Sequence, residues 1–437
     1  MVIIMEIKRP LFLNKLIEKK ENGFIKVITG IRRCGKSYLL FNLYHDYLNS
    51  IHIDDKYIIE LALDEASNAK YRNPLELDRY LREQIIEKNQ MYYVFLDEIQ
   101  KVAEIQNPHI DDKNAKIGFV DVLLGIMKIK NVDLYVTGSN SKMLSSDILT
   151  EFRDRGDEIK VKPLTFKEYY TAFEGEKRNA WKEYFTYGGM PVVLLKKTHG
   201  EKSKYLKDLF LKTYITDIVE RHRILNDKEI LEELLNIVSS SVGSLTNPTK
   251  LSKTFESVKN VKISSVTINT YFDYLVDAFI ISKSYRYDIK GKKYIDTPLK
   301  YYFTDIGLRN AWLNFRQQEE NHIMENIIYN ELAVRAFDVD IGVVEYNYKN
   351  PDGKSRRSQL EVDFVANDDS RRFYIQSALS VFEDEKRKQE TNSLYRIDDS
   401  FRKIVVVRDD IIPWHDEKGV LYIGIEQFLL DDAAMYI

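Results

Sequence analysis

The chain has 437 residues, enough for two or three domains, and its 44% hydrophobic and 30% charged content is that of a globular protein with a sizeable core. A net charge of −3 excludes a global basic field, so any nucleic-acid site must be a local patch. The single cysteine, Cys34, excludes an intrachain disulfide and fits a cytoplasmic location. No apolar run approaches the ~20 residues that span a bilayer, so no membrane partner is expected, and the first ten residues are too short for a signal peptide.

In chain order, the spacing of Leu11, Leu13, Leu16 and Ile17 predicts a helix over Arg9–Lys20. The apolar run Phe24, Ile25, Val27, Ile28 then predicts a buried strand that stops at Gly30. The next residues, Gly30-Ile31-Arg32-Arg33-Cys34-Gly35-Lys36-Ser37, fit G-x-x-x-x-G-K-[ST], and Tyr38-Leu39-Leu40 opens a helix. Strand, glycine loop and helix start is the context of a P-loop. Glycines let successive N–H groups turn inward, and the helix start adds unpaired N–H groups and a positive dipole end. In such a loop residues 30–38 cradle phosphates, Lys36 reaches the β- and γ-phosphates of ATP, and Ser37 holds Mg²⁺.

Strand Tyr57–Leu63 and helix Pro74–Asn89 follow, the helix presenting Leu77, Leu81, Ile85 and Ile86. Met91–Leu96 is a third apolar run ending in Asp97-Glu98. This Walker B pattern assigns Asp97 to Mg²⁺ and Glu98 to general-base polarisation of water; the alternative is a strand with a solvated acidic end. Helix Val120–Ile129 and strand Asp133–Val136 lead to Thr137-Gly138-Ser139-Asn140. Its Ser139 and Asn140 stand where a γ-phosphate sensor is expected, or form a simple turn. Arg153 and Arg155 either bring charge to a γ-phosphate, in cis or from a neighbouring subunit, or form a surface ion-pair cluster. Thr165 and Glu168 have capping-box spacing.

The runs ITGIRRCGKS, VFLDEIQ, YVTGSNS, PLTFKEYY and YFTYGGMPVVL together resemble the prokaryotic AAA-type ATPases of archaea and bacteria, which often carry a C-terminal nuclease-like domain of unknown function. Lys36, Ser37, Asp97, Glu98 and the Ser139-Asn140 turn match that pattern residue by residue. The family commonly has Gly-Arg before its PLSF-like segment, whereas this chain has Arg155-Gly156. The resemblance implies an α/β P-loop core over residues 1–175 and a helical lid with a winged-helix module over 176–298. A restriction-endonuclease-like α/β domain is implied over 299–437.

Within the middle segment, Gly188-Gly189-Met190-Pro191 reads as a helix break and lid hinge, and His222 as a solvated helix-end residue. Helices near 248–255 and 264–275 before a strand pair have the shape of a winged helix-turn-helix. If it reads DNA, the helix Val266–Tyr274 would enter the major groove and Lys290, Lys292 and Lys293 would meet phosphates. The absence of arginine from that helix leaves domain packing as the other reading. In the C-terminal region the helix Asn321–Phe337 is expected to turn Ile323, Ile327, Ile328 and Leu332 to a core, with Glu325 and Glu331 as its polar positions. Glu331, Asp363 and Gln376 resemble a nuclease metal set, but Ala378 stands where the lysine belongs, which argues for the fold and against cleavage.

The sequence therefore predicts an ATP- and Mg²⁺-dependent ATPase, able to oligomerise, that couples nucleotide state to a nucleic-acid or protein partner. The alternatives are a nucleotide-gated signalling switch without nucleic acid, or a Mg²⁺-dependent DNA nuclease.

Overall fold

The computed structural model describes residues 7–138, 156–224, 227–316, 319–349, 352, 354–369 and 371–437. Two compact units emerge, one comprising Met1–Pro163 with Asp277–Phe279 and the other Leu164–Val276 with Ile280–Ile437.

The first unit is built on five parallel strands: β1 (Ile25–Thr29), β2 (Ile58–Ala62), β3 (Tyr92–Asp97), β4 (Val132–Thr137) and β5 (Gly156–Lys160). Their order across the sheet is β2-β3-β4-β1-β5. β1 and β3 are buried along their whole length, as expected of parallel strands covered on both faces. Val27, Leu61, Val94, Leu96 and Val136 pack with Leu77 and Leu81 of the helix Pro74–Gln84 and Leu123 of the helix Phe119–Ile126.

The helix expected to reach residue 89 stops at Gln84. The N–H groups of Ile86 and Glu87 donate instead to the Tyr92 hydroxyl, at 3.3 and 3.1 Å, which turns the chain into β3. A second departure lies in β1, whose apolar run contains a fully buried Lys26. Its ammonium pairs with Asp133 of β4, and Tyr135 donates to the same carboxylate at 2.6 Å. Buried charge persists here because it is paired and hydrogen-bonded.

The second unit opens with the helix Phe166–Ala172. Its Thr165 and Glu168 form the expected capping box, with reciprocal bonds of 3.0 and 3.2 Å. The first unit thus ends at Pro163, ahead of the limit expected at 175. Helices Ala180–Tyr187, His199–Tyr214, Lys228–Ser240, Pro248–Lys259 and Ser265–Asp277 follow. Then come β6 (Ile281–Asp288), β7 (Lys293–Phe303), the helices Ile306–Trp312 and Glu320–Val334, β8 (Asp338–Lys349), β9 (Ser355–Asp368) and β10 (Arg371–Ala378). After the helix Asp384–Thr391, β11 (Arg402–Val407), β12 (Trp414–His415) and β13 (Leu421–Gly424) complete one eight-stranded sheet in the order β12-β13-β11-β10-β9-β8-β6-β7.

The β6–β7 hairpin is therefore not set apart from the C-terminal sheet. Arg286–Asp288 pair in parallel with Ile341–Val343, and the domain limit expected at 298/299 falls inside β7. The cause is the length of β7, whose last five residues are all buried.

The glycine pair at 188–189 is docked onto the start of the helix Ile306–Trp312. A Cβ on Gly307 would lie 1.9 Å from the Tyr187 carbonyl oxygen, so only glycine fits there. Asp305 accepts from the N–H of Gly189 at 2.7 Å and of Leu308 at 3.0 Å. His222, expected in solvent, stacks on Tyr274 with ring centroids 3.5 Å apart.

Candidate functional site

The carboxyl ends of β1, β3 and β4 converge on one crevice edge of the first sheet, the place where open parallel sheets put their ligands. β1 runs into Gly30, whose φ of +145° and whose contact with the chain after β5 both require glycine. A Cβ there would stand 2.2 Å from the Val161 carbonyl oxygen. Arg33 at φ +65° and Gly35 at φ +100° continue the loop through left-handed conformations. Ile31 and Cys34 point inward and are buried, Cys34 Sγ lying 3.4 Å from the Val161 carbonyl oxygen. Helical structure begins at Lys36 and runs unbroken to residue 50 through a π-helical stretch, Leu39–Tyr44. Arg9 clasps the loop from outside, donating to the carbonyls of Cys34 at 3.0 Å and Lys162 at 2.7 Å.

The loop is folded around its lysine. Lys36 is buried, and its ammonium donates to the carbonyl oxygens of Gly30 at 2.9 Å and Ile31 at 3.2 Å. Ser37 Oγ donates to Asp97 Oδ2 at 2.7 Å, so the two expected metal ligands stand side by side. These are hard oxygen donors, one hydroxyl and one carboxylate, and they fit a magnesium ion. Glu98 ends β3 in the left-handed region, at φ +53° and ψ +48°. Such a conformation is unfavourable for glutamate and marks a position held by its surroundings. Burial pushes its carboxyl up from the ordinary value; Lys36 and Arg32 pull it down, and Asp97 adds to the rise.

Thr137, at the end of β4, is a residue that sequence reasoning passed over. Its hydroxyl donates to Asp97 Oδ1 and accepts from the Glu98 backbone N–H at 3.1 Å, so one side chain fixes both acids. The expectation had settled on the residues just after it. Ser139, Asn140 and Arg155 lie outside the described residues. The signal available in the sequence was the position of Thr137 at the end of a strand that neighbours β3.

Residues 22–170 match the AAA domain family. The chain is 32% identical to an uncharacterized protein of Haemophilus influenzae, over 92% of this chain and 93% of that one. The chain belongs to the AAA-type P-loop ATPase family. An uncharacterized protein of Methanocaldococcus jannaschii is 29% identical over 97% of this chain and 87% of its own length. After the AAA domain, residues 178–319 match a domain of unknown function (DUF8612). Among solved structures, a Walker-type ATPase of Pyrococcus abyssi aligns over 70% of this chain and 96% of that one, at 14% identity and a TM-score of 0.47. No helix among the described residues of this AAA-family chain is long and apolar enough to cross a membrane.

A second cluster of acids lies in the eight-stranded sheet. Glu361 and Asp363 share one face of β9 by strand alternation. Asp363 Oδ2 accepts from the Ser377 N–H of β10 at 2.8 Å, and Asp363 N–H reaches Gln376 Oε1 at 3.4 Å. The helical glutamate beside them is Glu325, not Glu331. Glu331 faces another way and pairs with Arg335 at 2.8 Å. Both glutamates are buried, because the helix Glu320–Val334 is covered on nearly all sides. Lys300 enters the cluster from β7. Lys300 bonds Glu325 at 2.9 Å and Glu361 at 2.7 Å, and Tyr302 also donates to Glu325, at 2.7 Å. Burial alone would lower the Lys300 ammonium, but Glu325, Asp363 and Glu361 raise it above its ordinary value. Burial, then Glu325, holds Asp363 well above the usual carboxylate range.

Proposed function

We propose that the AAA domain binds ATP with Mg²⁺ and hydrolyses it, and that nucleotide state is coupled to a nucleic-acid partner through the second unit. The observation that carries this reading is the convergence of Lys36, Ser37, Asp97 and Glu98 at one crevice edge, with Ser37 and Asp97 2.7 Å apart. In this reading Ser37 and Asp97 hold the magnesium ion, which when bound neutralises charge on the phosphates. Lys36 exchanges its loop carbonyls for phosphate oxygens. Glu98 takes a proton from water as the water oxygen bonds to the γ-phosphorus, and the bond from that phosphorus to the β–γ bridging oxygen breaks. Ser139 and Asn140 serve as the γ-phosphate sensor, and Arg155 supplies charge in cis or from a second subunit. Burial raises the Glu98 carboxyl, the direction that favours proton uptake by a base.

The nucleic-acid arm rests on reading three helices and a hairpin of the second unit as a winged helix. The helices Lys228–Ser240, Pro248–Lys259 and Ser265–Asp277 precede the β6–β7 hairpin, and a bridge between Thr246 and Leu299 ties the segment between the first two helices to that hairpin. Lys250, Lys253 and Lys262 on or beside the helix pair are exposed, as are Lys290, Lys292 and Lys293 at the hairpin tip. On this reading these lysines would meet phosphates, with polar Asn269 and apolar Val266 exposed on the helix Ser265–Asp277. The nuclease-like fold is read here as non-cleaving. The lysine present is already bonded to two carboxylates.

The test is ATP turnover by the wild type and by Glu98→Gln, each with and without duplex and single-stranded DNA. The expected result is turnover stimulated by DNA at low salt, lost steeply as salt rises, and reduced roughly 10²–10⁴-fold in Glu98→Gln with ATP still bound. Turnover indifferent to DNA would favour a switch acting on a protein partner. Mg²⁺-dependent cleavage of DNA lost in Asp363→Ala would overturn the non-cleaving reading.

A further inference from the structure

The short helical turn after Glu98 folds a glutamine back onto the proposed base. Ile99–Lys101 form a single 3₁₀ turn, closed by the Lys101 N–H on the Glu98 carbonyl oxygen at 2.9 Å. That turn brings the Gln100 amide onto its neighbour, and Gln100 Nε2 donates to Glu98 Oε2. The other end of the same amide, Gln100 Oε1, is buried and has no hydrogen-bond partner among the described residues. A primary amide has two donors and an acceptor, and a buried acceptor is normally satisfied. One half of this amide therefore fixes the carboxylate, while the other half is an acceptor aimed at no protein group described.

We infer that Gln100 is a positioning residue for hydrolysis: it locks the Glu98 carboxylate in its working rotamer. Three features make the assignment specific. Glu98 already sits in a left-handed backbone conformation, so its side chain cannot rely on ordinary strand geometry to aim it. Thr137 holds the Glu98 backbone N–H but does not touch its carboxylate, so the backbone and the side chain have separate anchors. The other groups that face the carboxylate, Lys36, Arg32 and Asp97, act on it through charge, while Gln100 is its hydrogen-bond partner. A base held in one rotamer meets its water from one direction, and misplacement by about 1 Å is enough to cost roughly a hundredfold in rate.

The inference rests on the ATPase reading, and the experiment separates the two. Steady-state ATP turnover is measured from pH 5 to 9 for the wild type, Glu98→Gln, Gln100→Leu and Gln100→Asn, with nucleotide affinity measured in parallel. Gln100→Leu is expected to lower kcat roughly tenfold to a hundredfold while KM for ATP changes less than about twofold. Gln100→Asn, whose amide is one methylene too short to reach, behaves like Gln100→Leu although it keeps the functional group. An unchanged kcat in Gln100→Leu overturns the assignment. So does a lower kcat accompanied by a lowered unfolding midpoint, which would mark Gln100 as structural. A wild type that binds ATP yet shows no turnover would refute the hydrolysis reading itself, and the role of Gln100 with it.

Discussion

The two units each bury a lysine near acids at the ends or edges of strands, and they treat it in opposite ways. In the AAA domain the Lys36 ammonium is held by two neutral carbonyl oxygens, of Gly30 and Ile31, while Asp97 and Glu98 bond to hydroxyl and amide groups. In the eight-stranded sheet the Lys300 ammonium is bonded directly to the carboxylates of Glu325 and Glu361. The first arrangement keeps cation and anions separate, so both are available to a ligand that carries phosphates and a metal. The second neutralises itself. Neutral partners can be exchanged for a phosphate at small cost, whereas breaking a buried ion pair leaves an uncompensated charge. On the proposed reading the first set serves a ligand and the second serves the fold.

The largest effect should come from breaking the first arrangement. Lys36→Ala is expected to weaken ATP binding and lower turnover roughly 10²–10³-fold, with the unfolding midpoint little changed, as followed by nucleotide titration and calorimetry. Unaltered turnover would remove Lys36 from the site. Lys300→Met is the counterpart in the second unit. It should leave turnover intact and cost about 3–5 kcal/mol of stability by urea unfolding, since Glu325 and Glu361 would lose their shared cation. If Lys300→Met were as stable as the wild type, the cluster would not be self-neutralised and the contrast would fail.

Asp363 sharpens the comparison through pH. Its carboxyl is raised in the folded state by burial and by Glu325, so the folded protein binds that proton more tightly than the unfolded chain. The stability it contributes is complete below the ordinary carboxylate value of 3.8 and is lost as pH rises through the raised value. Asp363→Asn removes that dependence. Its stability relative to the wild type should therefore improve steadily above pH 4, and parallel stability–pH curves for the two proteins would contradict this. The smallest effect is expected at Thr137→Val, which removes one hydroxyl from Asp97 and Glu98 but leaves Ser37 on Asp97. A loss of about 1 kcal/mol and a fall in turnover of less than roughly tenfold would fit a supporting role. A collapse of activity would make Thr137 an equal member of the site.

The sequence by itself determined the features that local chemistry specifies. The run from Ile25 to Ser37 contains its own strand, its own left-handed turn at Gly35 and its own helix start, so the loop was legible without its neighbours. The same holds for β3 with its terminal acids and for the capping box of Thr165 and Glu168. Only the tertiary structure decided which distant groups meet. Glu325 and Glu331 lie on one helix with similar chemistry, and the packing of that helix, not its periodicity, turned Glu325 toward Asp363 and Glu331 toward Arg335. Lys300 reaches the cluster because β7 is long enough to form the sheet edge, a matter of strand pairing across the chain. Thr137 and Gln100 gained their roles in the same way, through the adjacency of β4 to β3 and the fold of a single turn. Hydrophobic period and glycine placement are written into neighbouring residues. The partner of a buried charge is set by register and packing between segments far apart, which no short stretch of sequence encodes.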